Sequence, residues 1–386
     1  MQRTRILVFI DWFLPGYKAG GPVRSMANMV EHLEQEFDFF VVTRNTEYLE
    51  NTPYNTVTSN SWNSFLNHVR VYYCSEEQAT LKKWIELIKE IRPHKVYING
   101  IYSLKFSLLP LWAAKTQKTP EIIVAPRGML AQSAINVKSR KKKAFLAMVR
   151  MLGLYKDVTW HVTNSKENEA VNKSITQRGI RHVAPNLPRK SNTDFSTLGK
   201  LSGELLLCTL ARIAPEKNTL FALECLAKVK DDINVTLHLF GQIYDQAYWD
   251  LCCQTIAKLP RHITVDYKGV VPPEEISKTI QQYHCLFLPS RGENFGHVIL
   301  ESLMAGRPVI ISDQTPWLEL QKQNAGWDLP LSQPADFSTT MEQLALMHQD
   351  SFNQLCHGSH ALAEQVNNNQ EVLETYRKMF SILPGR

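Results

Sequence analysis

A chain of 386 residues exceeds one typical hydrophobic core, and two domains of about 190 residues each fall in the usual size range. A hydrophobic content of 44% with 21% charged residues excludes a disordered or fibrous chain, and no apolar run approaches the roughly 20 residues that span a bilayer. The net charge of +6 is mild, and the seven cysteines show no C-x-x-C spacing, so they read as reduced, packed thiols in a cytoplasmic protein.

From the start, RILVFID (Arg5 to Asp11) predicts a strand, WFLPGYKAGGP a turn, and Val23 to Leu33 a helix with Met26, Met29, Val30 and Leu33 at helical spacing. Strand, glycine loop and helix make a Rossmann-like opening. Gly20-Gly21 is not G-x-G-x-x-G, so no dinucleotide fingerprint is present, and the pair equally fits a plain turn with positive φ. Further strands are expected at Phe37 to Thr43, Val69 to Tyr73, Lys95 to Asn99, Glu121 to Ala125, Val158 to Val162 and Arg181 to Ala184, with helices such as Leu81 to Ile91 between them. This alternation predicts a parallel sheet covered on both faces. Residues 46–66, rich in Asn and Ser, predict a long surface loop of a length that often serves function. Arg127 and Gly128 follow one strand directly, and His161 reads as a packed strand residue.

Period is lost after Pro185, which places a first domain over 1–190, a linker over 191–203 and a second domain over 204–368. Its strands are expected at Leu205 to Leu210, Val235 to Phe240, Ile263 to Tyr267, Cys285 to Leu288 and Pro308 to Ile311. In LARIAPEKN, Arg212 ends a strand and Lys217 precedes a helix, two cations suited to a diphosphate. In LFLPSRGENFGHVILESLMAGRPVIISD a polar turn leads into a helix starting near Gly296, whose positive end favours an anion by roughly 0.3–1 kcal/mol. Glu293 lies in that turn and Glu301 about two helical turns on; carboxylates accept from hydroxyls, which suits a sugar and a ribose. The closing stretch Glu371 to Leu383 has helical spacing.

The pair Glu293-x7-Glu301 before Gly306-Arg307-Pro308-Val309 resembles the signature of the family 4 (group 1) retaining glycosyltransferases, which have the GT-B fold. That resemblance implies α/β architecture, two Rossmann-like domains with parallel sheets facing a central cleft, and a helix in 369–386 that packs back on the first domain. It implies catalytic roles for Glu293, Arg212, Lys217 and Arg127, and donor binding by Gly20, Gly21, Gly241, Asn294, Phe295, Gly296 and Glu301. Where many relatives carry a histidine, this chain has Arg127-Gly128, as in a subgroup that builds bacterial surface polysaccharides.

The sequence holds no Asp-x-Asp, Walker A, G-x-S-x-G, H-E-x-x-H or nucleic-acid motif. The expectation is a metal-independent transferase without a cofactor, moving a sugar from a nucleoside-diphosphate sugar to a saccharide acceptor, free or lipid-linked. A GT-B epimerase, a phosphorylase and an inactive scaffold module fit the same fold. Residues 138–155 combine a basic start with an apolar face, which fits either a core helix or one lying on the inner face of the plasma membrane.

Overall fold

The computed structural model describes residues 3–118, 121–131, 139–190 and 195–382. The chain divides into two compact units: Met1–Lys190 with Asn369–Arg386, and Ser191–Asn368.

The first unit begins with β1 (Thr4–Ile10), α1 (Gly21–Leu33), β2 (Phe37–Arg44), β3 (Trp62–Leu66), β4 (Val69–Cys74) and α2 (Leu81–Ile91). It continues with β5 (Lys95–Asn99), a short wide turn Leu104–Leu108, α3 (Leu109–Thr116), β6 (Glu121–Ala125), α4 (Ser139–Met151), β7 (Thr159–Val162), α5 (Ser165–Ser174) and β8 (Arg181–Val183). The strands lie in the order β3-β4-β2-β1-β5-β6-β7-β8, and all neighbours are parallel except β3 and β4. Central β1 is apolar and buried from Ile6 to Ile10 because both its faces are covered there. Leu7 and Phe9 enter a core with Trp84, Leu111 and Val149, whereas Ile6, Val8 and Ile10 meet Met26, Met29 and Val30 on the other side. Helix α2 shows the local logic: Thr80 accepts the Lys83 N–H at 3.3 Å as N-cap, Arg92 stops the helix in the left-handed region, and Trp84, Leu87, Ile88 and Ile91 form its buried stripe.

One expectation is corrected here. The predicted loop 46–66 ends in β3, an antiparallel edge strand. Its polar Asn63 and Ser64 hid the period, while Trp62 packs against the rings of Phe40 and Tyr72 at 5.6 and 5.4 Å.

The second unit contains β9 (Glu204–Leu210), α6 (Thr219–Leu226), β10 (Asn234–Phe240), α7 (Gln246–Ile256), β11 (Ile263–Gly269), α8 (Ile276–Ile280), β12 (Cys285–Leu288), α9 (His297–Met304), β13 (Val309–Ser312), β14 (Gly326–Leu329), α10 (Pro334–Leu346) and α11 (Gln349–Asn367). Its parallel sheet runs β11-β10-β9-β12-β13-β14. The unforeseen β14 depends on Gly326: at φ 136, a Cβ there would lie 2.1 Å from the Val309 carbonyl oxygen. The segment expected as linker packs on this unit from Phe195 onward, with the Phe195 ring 4.7 Å from that of His360.

The chain then returns to the first unit as α12 (Gln370–Phe380). Phe380 packs against Phe37, Phe39 and Tyr97, Lys95 donates to the Met379 carbonyl at 2.8 Å, and Arg377 pairs with Glu36 at 2.9 Å.

His284 ties the start of β9 into its unit. Its Nδ1 accepts the Leu206 N–H at 2.9 Å and its Nε2 donates to the Gly199 carbonyl at 3.1 Å, a pattern only the neutral ring supplies. Burial, then nearby Lys200 and Arg307, push its pKa down to about 4. The unfolded chain takes up this proton near pH 6.5, so stability is complete above that value and is lost as pH falls toward 4, by up to about 3 kcal/mol. Urea midpoints of wild type and His284→Gln, taken from pH 7 to 4, check this; parallel curves over that window would reject the assignment.

Candidate active site

In the second unit, β9 sits between β10 and β12: the chain builds outward from β9 to β10 and β11, then returns to its other side with β12. Open α/β sheets bind ligands outside the carboxyl ends of strands at such a reversal. The loops that leave β9 and β12 are stitched together there. Asn218, held at φ 63 in a conformation Asn tolerates, donates to the Pro289 carbonyl at 3.1 Å and accepts the Arg291 Nε–H at 3.1 Å. The Arg291 N–H donates to the Glu216 carbonyl at 2.9 Å.

Across this seam Lys217 Nζ meets Glu293 Oε1 at 2.6 Å, with the side chains only 19% and 11% exposed. Arg212 pairs with Glu216 at 3.1 Å, its guanidinium 5.1 Å from the Tyr244 ring centroid. The two cations expected to clamp a diphosphate are therefore each matched by a carboxylate. An arriving diphosphate would exchange with those carboxylates rather than fill an empty site.

Helix α9 opens behind Gly296, which has φ 78 and no side-chain cap. A Cβ on Gly296 would lie 2.7 Å from Ile299 Cδ1, so only glycine fits this entry. Asn294 is half-buried in the loop, and Glu301 half-buried on α9. Two residues expected to line the donor site, Phe295 and Gly241, are held by close packing. Phe295 is buried, lies 5.9 Å from the Trp317 ring and accepts its indole N–H at 2.5 Å, anchoring the loop. Gly241 is fixed by close approach, since a Cβ would lie 1.9 Å from the Ala211 carbonyl oxygen; its own N–H donates to Gly269 at 2.8 Å and its carbonyl accepts from Tyr267 at 2.9 Å.

In the first unit the corresponding reversal lies between β1 and β5. Gly20 (φ 82) precedes α1, and a Cβ on Gly20 or Gly21 would meet nothing within 4 Å, so the chain is open beside this helix start. Buried Glu47 holds the loop by accepting the Tyr17 and Tyr48 N–H groups at 2.8 and 2.6 Å.

Sequence reasoning passed over the charged cluster at this edge. Asp11, one residue past β1, accepts the Ser103 hydroxyl at 2.8 Å and the Arg44 guanidinium at 3.5 Å. Burial raises its pKa, against the opposing hydrogen bond from Ser103 and the Arg44 charge. Arg44 also pairs with Glu76, and Lys105 reaches Glu76 at 2.7 Å. Asp11, Arg44 and Glu76 stand at or just past the carboxyl ends of β1, β2 and β4, which was the signal available; Ser103 and Lys105 come from the turn that follows β5.

Arg127, expected to be catalytic, is buried and turned into its own unit. It donates to Asn99 Oδ1 at 2.8 Å, to the Tyr97 hydroxyl at 2.7 Å and to Asn186. Tyr97 in turn meets His161 Nδ1 at 2.6 Å, and His161 Nε2 donates to the Ala184 carbonyl at 2.9 Å. Burial and the Arg127 charge keep that ring neutral, its pKa well below the usual range. Glu167, which accepts the Thr163 N–H and hydroxyl at 2.7 and 2.9 Å, also accepts the Gly128 N–H. Arg127 therefore positions the β6 exit.

Residues 190–351 match a family model described as Glycosyl transferases group 1. Among solved structures, the chain is similar to sucrose-phosphate synthase from Thermosynechococcus elongatus, with a TM-score of 0.71 at 15% identity, covering 98% of this chain and 99% of that one. HepE from Anabaena, in complex with UDP and glucose, gives 0.69 at 14% identity, covering 97% and 100%. WaaG, a glycosyltransferase involved in lipopolysaccharide biosynthesis, gives 0.65 at 14% identity, covering 99% and 100%. At such identities the likeness establishes the fold, and it extends over both units. A search of curated protein sequences returned no match.

Proposed function

We propose that this chain, which has the GT-B fold and matches the group 1 glycosyl transferase model over residues 190–351, moves a sugar from a nucleoside-diphosphate sugar to a saccharide hydroxyl. The observation that carries the proposal is the Lys217–Glu293 pair at 2.6 Å, bridging the two loops at the β9/β12 reversal. Donor diphosphate takes Lys217 and Arg212 from their carboxylates. Glu293, released, accepts from hydroxyls of the transferred sugar, while Glu301 holds the ribose. The bond from the anomeric carbon to the phosphate oxygen breaks, the acceptor oxygen bonds to that carbon on the same face, and the acceptor proton passes to the departing phosphate. The cations and the start of α9 carry the charge that develops, with no metal ion required. The UDP-glucose complex of HepE supports a nucleotide-sugar donor, and the role of WaaG in lipopolysaccharide biosynthesis supports a surface-polysaccharide acceptor.

Thermal unfolding with UDP-, GDP- and ADP-sugars, followed by turnover with and without saccharide acceptors, tests this reading. One donor at a hundredfold excess over its Kd should raise the Tm of the second unit by about 5–10 °C. Donor consumption should then depend on acceptor. Isomerised donor without acceptor would instead identify an epimerase, and no response to any donor would identify a scaffold.

A further inference from the structure

Between Ile101 and Lys156 the sequence has eleven Lys or Arg and a single acidic residue, Glu121, so this stretch carries +10 while the whole chain carries +6. Glu121 is engaged elsewhere: it pairs with Lys95 at 2.6 Å and accepts the Thr159 hydroxyl at 3.1 Å. The stretch folds as the Leu104–Leu108 turn, α3, β6 and α4, and the two helices cover the same face of the first unit's sheet. Leu109 and Leu111 of α3 enter one core cluster with Phe145, Leu146 and Val149 of α4. Neighbouring segments are tied together: the Phe145 and Tyr102 rings lie 5.2 Å apart, Tyr155 donates to the Ile101 carbonyl at 3.1 Å, and Lys115 to the Lys156 carbonyl at 3.0 Å.

With their inner faces in the core, these elements still present large apolar side chains to solvent. Leu104 and Trp112 are each 61% exposed, Met151 80% and Leu152 58%. Exposed Arg140, Lys141, Lys143 and Arg150 accompany them on α4; Lys138 and the rest of 132–138 lie outside the described residues. Cations alone would suit any polyanion. Cations interleaved with exposed Leu, Met and Trp gain most where the charged heads meet anionic groups and the apolar chains enter a hydrocarbon phase. Among the described residues no helix is long and apolar enough to cross a membrane, so the fit is to a surface.

We propose that the outer face of α3 and α4 docks the first unit on an anionic lipid bilayer. The apolar side chains enter the headgroup boundary, and the Lys and Arg residues pair with lipid phosphates. Anionic lipid rather than soluble polyanion is the occupant because the exposed apolar rows have no use in a purely aqueous complex.

Co-sedimentation of the full chain with vesicles of phosphatidylcholine alone, or with 30% phosphatidylglycerol (about that fraction suffices for a strong surface potential), tests this at low and high salt. Wild type should pellet with anionic vesicles at low salt and remain in solution with phosphatidylcholine. Arg140→Gln with Lys141→Gln and Lys143→Gln should weaken binding on the order of a hundredfold. Trp112→Ser with Met151→Ser and Leu152→Ser should leave only binding that high salt abolishes. All six side chains are exposed, so both variants keep the wild-type unfolding midpoint. Wild type that ignores anionic vesicles overturns the proposal, as does binding that neither variant changes, or a DNA or RNA oligonucleotide that binds equally well and displaces the vesicles. Sedimentation is read without turnover, so the outcome stands apart from the transfer reaction.

Discussion

Lys217→Ala is expected to lower kcat/KM for sugar transfer by about a hundredfold, the largest loss among single changes at the candidate site. Its ammonium lies at the β9/β12 reversal and, on the proposed reading, exchanges Glu293 for the donor diphosphate; hydrogen bonds to charged groups contribute about 1.5–3 kcal/mol each, and donors aimed at developing charge act at the upper end. Arg212→Ala should cost about tenfold less, because Arg212 is a third exposed and solvent screens what it contributes. Removing Lys217 also strands the Glu293 carboxylate, so the single variant should unfold more readily, by about 1–3 kcal/mol. Lys217→Ala combined with Glu293→Gln should recover that stability without recovering activity. If the two cations and α9 carry the phosphate charge as proposed, transfer should persist in EDTA. Complete loss on chelation, restored by magnesium or manganese, would sink the clamp.

The second large effect separates the two carboxylates. Glu293→Gln should depress kcat by about ten- to a hundredfold, as expected for one lost charge-assisted hydrogen bond to the sugar, while leaving affinity for free nucleoside diphosphate unchanged or tighter. The tightening follows from the pair itself: Gln no longer competes with phosphate for Lys217. Glu301→Gln should do the reverse, weakening nucleotide binding by about tenfold or more with little change in kcat. Titration calorimetry with free nucleoside diphosphates decides between them. A Glu293 variant that loses nucleotide affinity as badly as the Glu301 variant contradicts the division of roles.

Buried parallel strands are the most legible elements of this fold, because a strand covered on both faces must be apolar at every position. RILVFID and CLFL therefore announced β1 and β12 within a residue or so. Edge elements were less legible: β3 places Asn63 and Ser64 between its apolar residues, one on each face, and β14 is a four-residue strand that starts at Gly326. At the candidate site, residue types could be read but partners could not. Lys217 and Glu293 are 76 positions apart, and only the return of the chain from β11 to the far side of β9 brings them together. Arg127 shows the converse. Its place past a strand end was legible, yet Asn99, Asn186 and Tyr97 offer buried acceptors that draw the guanidinium inward.

The return of α12 to the first unit sets an order of assembly during synthesis. The core around Phe37, Phe39 and Tyr97 stays uncapped until Tyr376, Met379 and Phe380 leave the ribosome, after all of the second unit. At about 5–20 residues per second that wait is roughly 10–40 s. The inserted unit, contiguous in sequence, can meanwhile complete itself; the first to be made is the last to be finished.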